Sequence, residues 1–215
     1  MNTKLINIES INKRIDNEYD PSITKELSDE NLMSHYKKCP SVEKKYKEFE
    51  TILTKHQVDD NKTSTIIDDL IPLNIAPGLK GQVRGKRFND IIQNNIENIA
   101  FLKDPRYNVE FEKNCPDYDT SEIPDWYIQD NTTNKKMIGM NQLDLWGGGA
   151  QSNRGSKYII NNPSSEKSKF ICVIANYIHI TSDKNKAYKF LKIGFEKNIL
   201  CYIKNLENII KMHFQ

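Results

Sequence analysis

The sequence predicts an α/β fold, a central mixed β-sheet flanked by helices, with a helical extension at the N-terminal end. Three observations carry this. KFICVIANYIHI, residues 169–180, is β-branched and almost continuously apolar, as expected of a strand buried on both faces at the sheet centre. From Val83 to Leu102, the residues Phe88, Ile91, Ile92, Ile96, Ile99 and Leu102 recur at helical spacing, which predicts an amphipathic helix. Between the two, PDWYIQD and KKMIGMNQLDLW flank the turn NTTN and read as a strand hairpin.

The 215 residues fit one domain or a compact core with an extension, and exclude two large domains. Residues 1–75 read as the extension and 76–215 as the core. From Asp16 to Lys55 the chain is polar and Lys/Glu-rich, with Tyr36, Tyr46, Phe49, Ile52 and Leu53 as sparse apolar positions, so one or two peripheral helices are expected there. SDEN at 28–31 supplies a cap and early acids. A second helix should begin near Ser41. HQVDDNKTST (56–65) has no periodicity and reads as a loop, and the prolines and glycines of IIDDLIPLNIAPGLKG should interrupt regular structure. Asp104 and Pro105 end the second helical pattern, and a loop rich in Asp, Pro and Tyr follows. From Asn185 onwards Tyr188, Leu191, Phe195, Ile199, Tyr202 and Leu206 line one side of what reads as a single closing helix, with lysines opposite. No internal repeat suggests a solenoid.

Lys+Arg total 31 against 29 Asp+Glu, a formal net charge of +2. Any affinity for a polyanion must therefore come from where the charges sit. No run approaches a membrane span, and MNTKLINIES lacks the apolar stretch of a signal peptide, so a cytoplasmic protein is expected. Cys39, Cys115, Cys172 and Cys201 stand far apart without a CxxC pair, which predicts reduced, structural thiols. The four histidines show no metal-ligand spacing.

The chemically informative stretch is IPDWYIQDNTTNKKMIGMNQLDLWGGGAQSNRGSKYII, 123–160. Asp125 opens one strand of the hairpin. Met140, Gln142 and Asp144 form one row of the next strand by parity, and Asn141, Leu143 and Leu145 the other. Folding about NTTN brings Asp125, Gln142 and Asp144 towards one end of the sheet, beside Gly147, Gly148 and Gly149, where backbone can approach a ligand closely.

From about residue 80 to 180 this pattern resembles the PD-(D/E)xK nuclease superfamily and its small type II restriction endonucleases. There a Pro-Asp begins one strand, the next ends in acidic-x-Lys, and the carboxylates hold a divalent metal at the scissile phosphate. Pro124 and Asp125 match the first half. The second half departs, because no acidic-x-Lys lies between Ile138 and Trp146. Either Gln142 takes the lysine slot and Met140 the acidic one, or Gln142 takes the acidic slot and Asp144 the lysine one. The resemblance implies a restriction-endonuclease-like sheet and Mg²⁺ held by Asp125 and Asp144, with Gln142 orienting water or substrate. It also implies a further acid from the preceding helix, for which Glu97 is the candidate. Phosphodiester hydrolysis needs such a cation, and at least one fixed carboxylate must hold it.

Two further clusters fit a DNA partner. Lys80, Arg84, Lys86 and Arg87 fall within GLKGQVRGKRF, where side chains and helix N-terminal amides can grip phosphates together. In QSNRGSKY, Arg154 can read guanine, Gln151 and Asn153 adenine, and Lys157 can hold a phosphate. The expectation is a sequence-specific, Mg²⁺-dependent endonuclease cutting double-stranded DNA as a twofold homodimer. Its rivals are a DNA-binding protein of the same fold with weakened catalysis, and a protein-interaction module that uses the GGG turn and the NRGSKY loop.

Overall fold

The computed structural model of the chain describes residues 7–116 and 122–215. Part of the Asp/Tyr-rich loop expected after Asp104 lies outside them. The described chain has two compact units: residues 22–87 form one, and residues 7–21, 88–116 and 122–215 form the other.

The unit of residues 22–87 is helical. It contains α2 (Pro21–Glu26), α3 (Asp29–Tyr36), α4 (Pro40–Lys55), α5 (Asp60–Asn74) and the first half of α6 (Pro77–Glu97). Ser28 caps α3 by accepting from the Asn31 amide, as the SDEN motif predicts. Leu32, Tyr36, Val42, Ile67, Ile71 and Ile75 make its core. The segment expected to be a loop from 56 to 65 is instead mostly the start of α5. Asp59 accepts from the Asn61 amide there, and Thr63 and Ile67 are buried. Pro72 lies within the last turn of α5, and Pro77 stands at the first position of α6, where a missing N–H costs nothing.

The other unit is built on a five-stranded mixed sheet of order β1-β2-β3-β4-β5. The strands are β1 (Tyr107–Phe111), β2 (Trp126–Asp130), β3 (Lys136–Gln142), β4 (Ser168–Ile174) and β5 (Leu200–Tyr202). β1, β2 and β3 form an antiparallel meander. β4 and β5 then add in parallel, each reached by the crossover connection that a parallel neighbour needs. α7 (Gly149–Gly155), followed by a π-turn at Ser156–Ile160, joins β3 to β4, and α8 (Lys186–Glu196) joins β4 to β5. The expected α/β class, with helices flanking a mixed sheet, is what the chain adopts.

Pairing and parity sort the two faces. Tyr127, Ile138, Met140, Phe170, Cys172 and Ile174 share a core with Ile11 and Ile15 of α1 (Ile8–Glu18) and with Phe190, Leu191 and Phe195 of α8. Trp126, Ile128, Met137, Ile171 and Val173 point the other way and are also buried. Gly139 belongs to this second face. A Cβ there would lie 1.9 Å from Trp126 Cε2, so the glycine makes room for the indole of the paired residue.

Three sequence expectations need correcting. β4 is not the sheet centre; β3 is, and the strand ends at Ile174, before NYIHI. The closing helix is two helices, α8 and α9 (Ile203–Phe214), separated by β5. Asn198, with φ of 50°, turns the chain out of α8 in the left-handed conformation that asparagine tolerates. β1 also falls where only a loop was expected.

All four cysteines carry free thiols, and Cys115, Cys172 and Cys201 are buried. Among the described residues no helix is long and apolar enough to cross a membrane.

Candidate active site

The hairpin turn sets the register. Asn134, with φ of 57°, closes a turn in which Asp130 accepts from the Thr132 amide at 2.8 Å. Trp126 is thereby paired with Gly139. One residue earlier, the Asp125 amide donates to the Gly139 carbonyl at 3.1 Å. Asp125 thus shares the Gly139 carbonyl's position with Trp126, as a bulge residue does, just before the end of β3 where Asn141 and Gln142 stand.

Asp125 is largely enclosed and well tied. Its Oδ2 accepts from the Asn141 amide at 2.6 Å, and its Oδ1 accepts from Asn89 Nδ2, on the second half of α6, at 3.0 Å. Burial is the largest influence on its proton affinity and pushes the carboxyl above its ordinary range. The Asn141 and Asn89 donors pull against that shift, the Glu112 charge adds to it, and Arg154 opposes it. Two donors leave part of a carboxylate's acceptor capacity unused.

Gln142 follows. Its Oε1 accepts from Arg154 Nη1 at 3.2 Å, so the end of β3 and α7 are joined by a polar contact. Beside them Glu122 receives the Tyr158 hydroxyl and an ion pair from Lys157 at 3.3 Å. The Tyr158 bond holds the Glu122 carboxyl below its ordinary range; burial opposes this and Lys157 assists it. Burial first, and Glu122 second, push the Tyr158 phenol up.

The other sequence-selected acids are engaged elsewhere. Asp144 lies past the end of β3. Its Oδ1 accepts from the Trp146 and Gly147 amides at 3.2 and 2.8 Å, and its Oδ2 accepts from Asn176 at 3.1 Å. It shapes its own turn, as Asp does after a strand. Gly147 is close to it, since a Cβ there would be 3.0 Å from Asp144 Oδ1. Glu97, in the last turn of α6, is exposed and accepts from Gln93 at 2.8 Å.

The basic residues of GLKGQVRGKRF all lie inside α6, which starts at Pro77, ahead of the Val83 expected from the pattern. Lys80 and Arg84 pair with Asp29 at 2.7 and 2.8 Å, and Arg87 with Glu26 at 2.8 Å. Lys86 is exposed. Burial works against ionisation of Asp29, but Lys80, Tyr36 and Arg84 outweigh it and hold its carboxyl below the ordinary range. QSNRGSKY is likewise helical, through α7 and the π-turn. Asn153 and Arg154 are exposed, and Gln151 and Lys157 half-buried.

Asp125, Gln142, Arg154 and Lys157 thus belong to one neighbourhood at the end of the hairpin. Asn89, Glu112, Glu122, Asn141 and Tyr158 join them without having been singled out from sequence. One signal was legible: Asn141 is an amide on the apolar row of a buried strand, and such a group must find partners.

The donor set can be tested against Mg²⁺, which takes oxygen ligands and keeps several waters. Among the described residues no group of three His, Cys, Asp or Glu side chains comes together, and Asp144 is committed to its turn. Asp125, however, is a carboxylate disfavoured by burial and by the neighbouring Glu112 charge, and a divalent cation would relieve both effects. The carboxyl oxygens this end offers a hard cation are those of Asp125, with Glu112 the further acid whose charge it senses. No family model, curated protein or solved structure matches the chain.

Proposed function

We propose that the chain is a metal-dependent DNA endonuclease of restriction type, acting at the end of the β2–β3 hairpin. The observation that carries this reading is the 2.6 Å bond from the Asn141 amide to Asp125, because it puts the acid that follows Pro124 against the last residues of the neighbouring strand. With Asp144 engaged by the Trp146 and Gly147 amides and by Asn176, the arrangement favours Gln142 in the lysine slot over Asp144.

Asp125 and Glu112 would hold Mg²⁺, which when bound neutralises charge on the phosphoryl oxygens and lowers the pKa of attacking water. Arg154 supplies a fixed positive charge next to Gln142, suited to the developing negative charge of the phosphate. Gln142 presents an amide that orients water or substrate and does not act as a base. Gln151, Asn153 and Arg154 on α7 are the base-reading and phosphate-holding side chains. A twofold homodimer would carry one such site to each strand.

A second reading, a DNA-binding protein with weakened catalysis, is favoured by one observation: Met140 occupies the acidic slot and is 8% exposed. Incubating supercoiled plasmid with the protein and Mg²⁺ separates the two. Discrete fragments that vanish in Asp125→Ala support the endonuclease, whereas a gel shift without cutting supports the binder. Salt-insensitive association with no preference for DNA would contradict both.

A further inference from the structure

The Asp125 carboxylate is the last member of a chain of side-chain hydrogen bonds that begins at a group able only to donate. The Trp126 indole Nε1 donates to Asn141 Oδ1 at 3.1 Å, Asn141 Nδ2 donates to Asn89 Oδ1 at 3.1 Å, and Asn89 Nδ2 donates to Asp125 Oδ1 at 3.0 Å. Trp126 is 1% and Asn141 8% exposed, so water has little access to that end of the chain.

An indole has no acceptor, whereas a carboxamide has one face of each kind. Asn141 must therefore turn its oxygen to Trp126 and its NH₂ to Asn89. Asn89 must in turn present its own oxygen to Asn141 and its NH₂ to Asp125. Reversing either amide would set two donors face to face in a buried place, where an unpaired polar group is costly. Asn141 also grips the acid directly through its main-chain amide at 2.6 Å.

We infer that Trp126 is a positioning residue for Asp125: through Asn141 and Asn89 its indole N–H fixes which end of each amide faces which neighbour, so the acid meets a donor on Oδ1 and keeps its remaining lone pairs for a cation. The inference deepens the reading above, since Asp125 is the acid of that site. Three elements are tied together by it, because Asn89 lies on α6, Trp126 on β2 and Asn141 on β3. Gly139 is part of the device, for only a residue without a side chain lets the indole lie across β3 to reach Asn141.

The Trp126 indole N–H resonance reads the relay directly. The chain has two tryptophans, and Trp146→Phe assigns the signal. Asp125→Asn is nearly isosteric but turns one acceptor into an NH₂, which must face either the NH₂ of Asn89 or the main-chain N–H of Asn141. Either mismatch falls on a member of the relay, so it should travel to Trp126 and move its indole proton upfield, as a weakened hydrogen bond does. Asn89→Ala should also move it upfield, and adding Asp125→Asn to Asn89→Ala should move it no further. Asn89→Ser, which keeps the helix but cannot bridge both partners, is the second variant if Asn89→Ala unfolds. An indole proton unmoved by Asp125→Asn in a folded protein, or moved equally with and without Asn89, overturns the relay. Adding Mg²⁺ alone to the wild type tests the other reading separately. No response to Mg²⁺ while Asp125→Asn still reaches Trp126 removes the cation site and leaves the relay standing; a response to Mg²⁺ without that coupling does the reverse.

Discussion

Asp125 and Asp144 are chemically alike and close in sequence, yet their surroundings give them different work. Asp144 spends its oxygens on the turn that leaves β3. Asp144→Ala should therefore cost about 1–2 kcal/mol of stability, the usual range for stranded part-buried donors, in a urea titration. Gly139 shows the same dependence on a single neighbour. A methyl group at that position would overlap the Trp126 indole, so Gly139→Ala should destabilise by about 1–3 kcal/mol, as overpacking does, measured in the same way. Wild-type stability of Gly139→Ala would mean that the indole does not lie across β3. At this scale the sequence was partly legible. Strand parity and the Pro-Asp dipeptide brought Asp125 and Gln142 forward. Asn89 was not legible, because an uncharged amide on a helix carries no signal until its partner on the sheet is known, and Glu112 lay outside the window that the hairpin pattern drew.

At the scale of elements, patterns bounded by turn or cap residues survived folding, and an unbroken apolar spacing did not always mean one element. The stripe from Phe88 to Ile96 was legible because it repeats its period several times, and the two strands because they stand on either side of the turn sequence NTTN. β5 was not, since Leu200–Tyr202 is three residues long and its apolar side chains continue the helical spacing on either side of it. The hairpin turn itself depends on Asn134, whose φ is 57°. Asn134→Gly should be tolerated, whereas Asn134→Val should cost about 1–2 kcal/mol for forcing a β-branched residue into the left-handed region, read as a lower unfolding midpoint. In the helical unit, the Tyr36 hydroxyl donates to Asp29 at 2.8 Å. Burial, then Asp29, raise the phenol from 10.0 to about 12. The folded state thus holds this proton more tightly than the unfolded chain. Its contribution is complete below pH 10 and is lost as pH rises towards about 12. Unfolding of wild type and Tyr36→Phe compared across that window should show the steeper decline in the wild type; parallel declines would contradict the pairing.

At the scale of the whole molecule, a mixed sheet brings one acid to the end of the β2–β3 hairpin, where the proposed cation and phosphodiester would meet. The α/β class was legible because strands and helices alternate with distinct periods. The division of labour between the acids was not, because parity places Asp144 in the Gln142 row only if β3 continues, and β3 stops at Gln142. The most direct measurement is a calorimetric titration of Mg²⁺ into the wild type, Asp125→Ala and Asp144→Ala, with circular dichroism to verify folding. The account predicts that binding is lost in Asp125→Ala and retained in Asp144→Ala; binding that survives loss of Asp125, or that disappears only with Asp144, would contradict it.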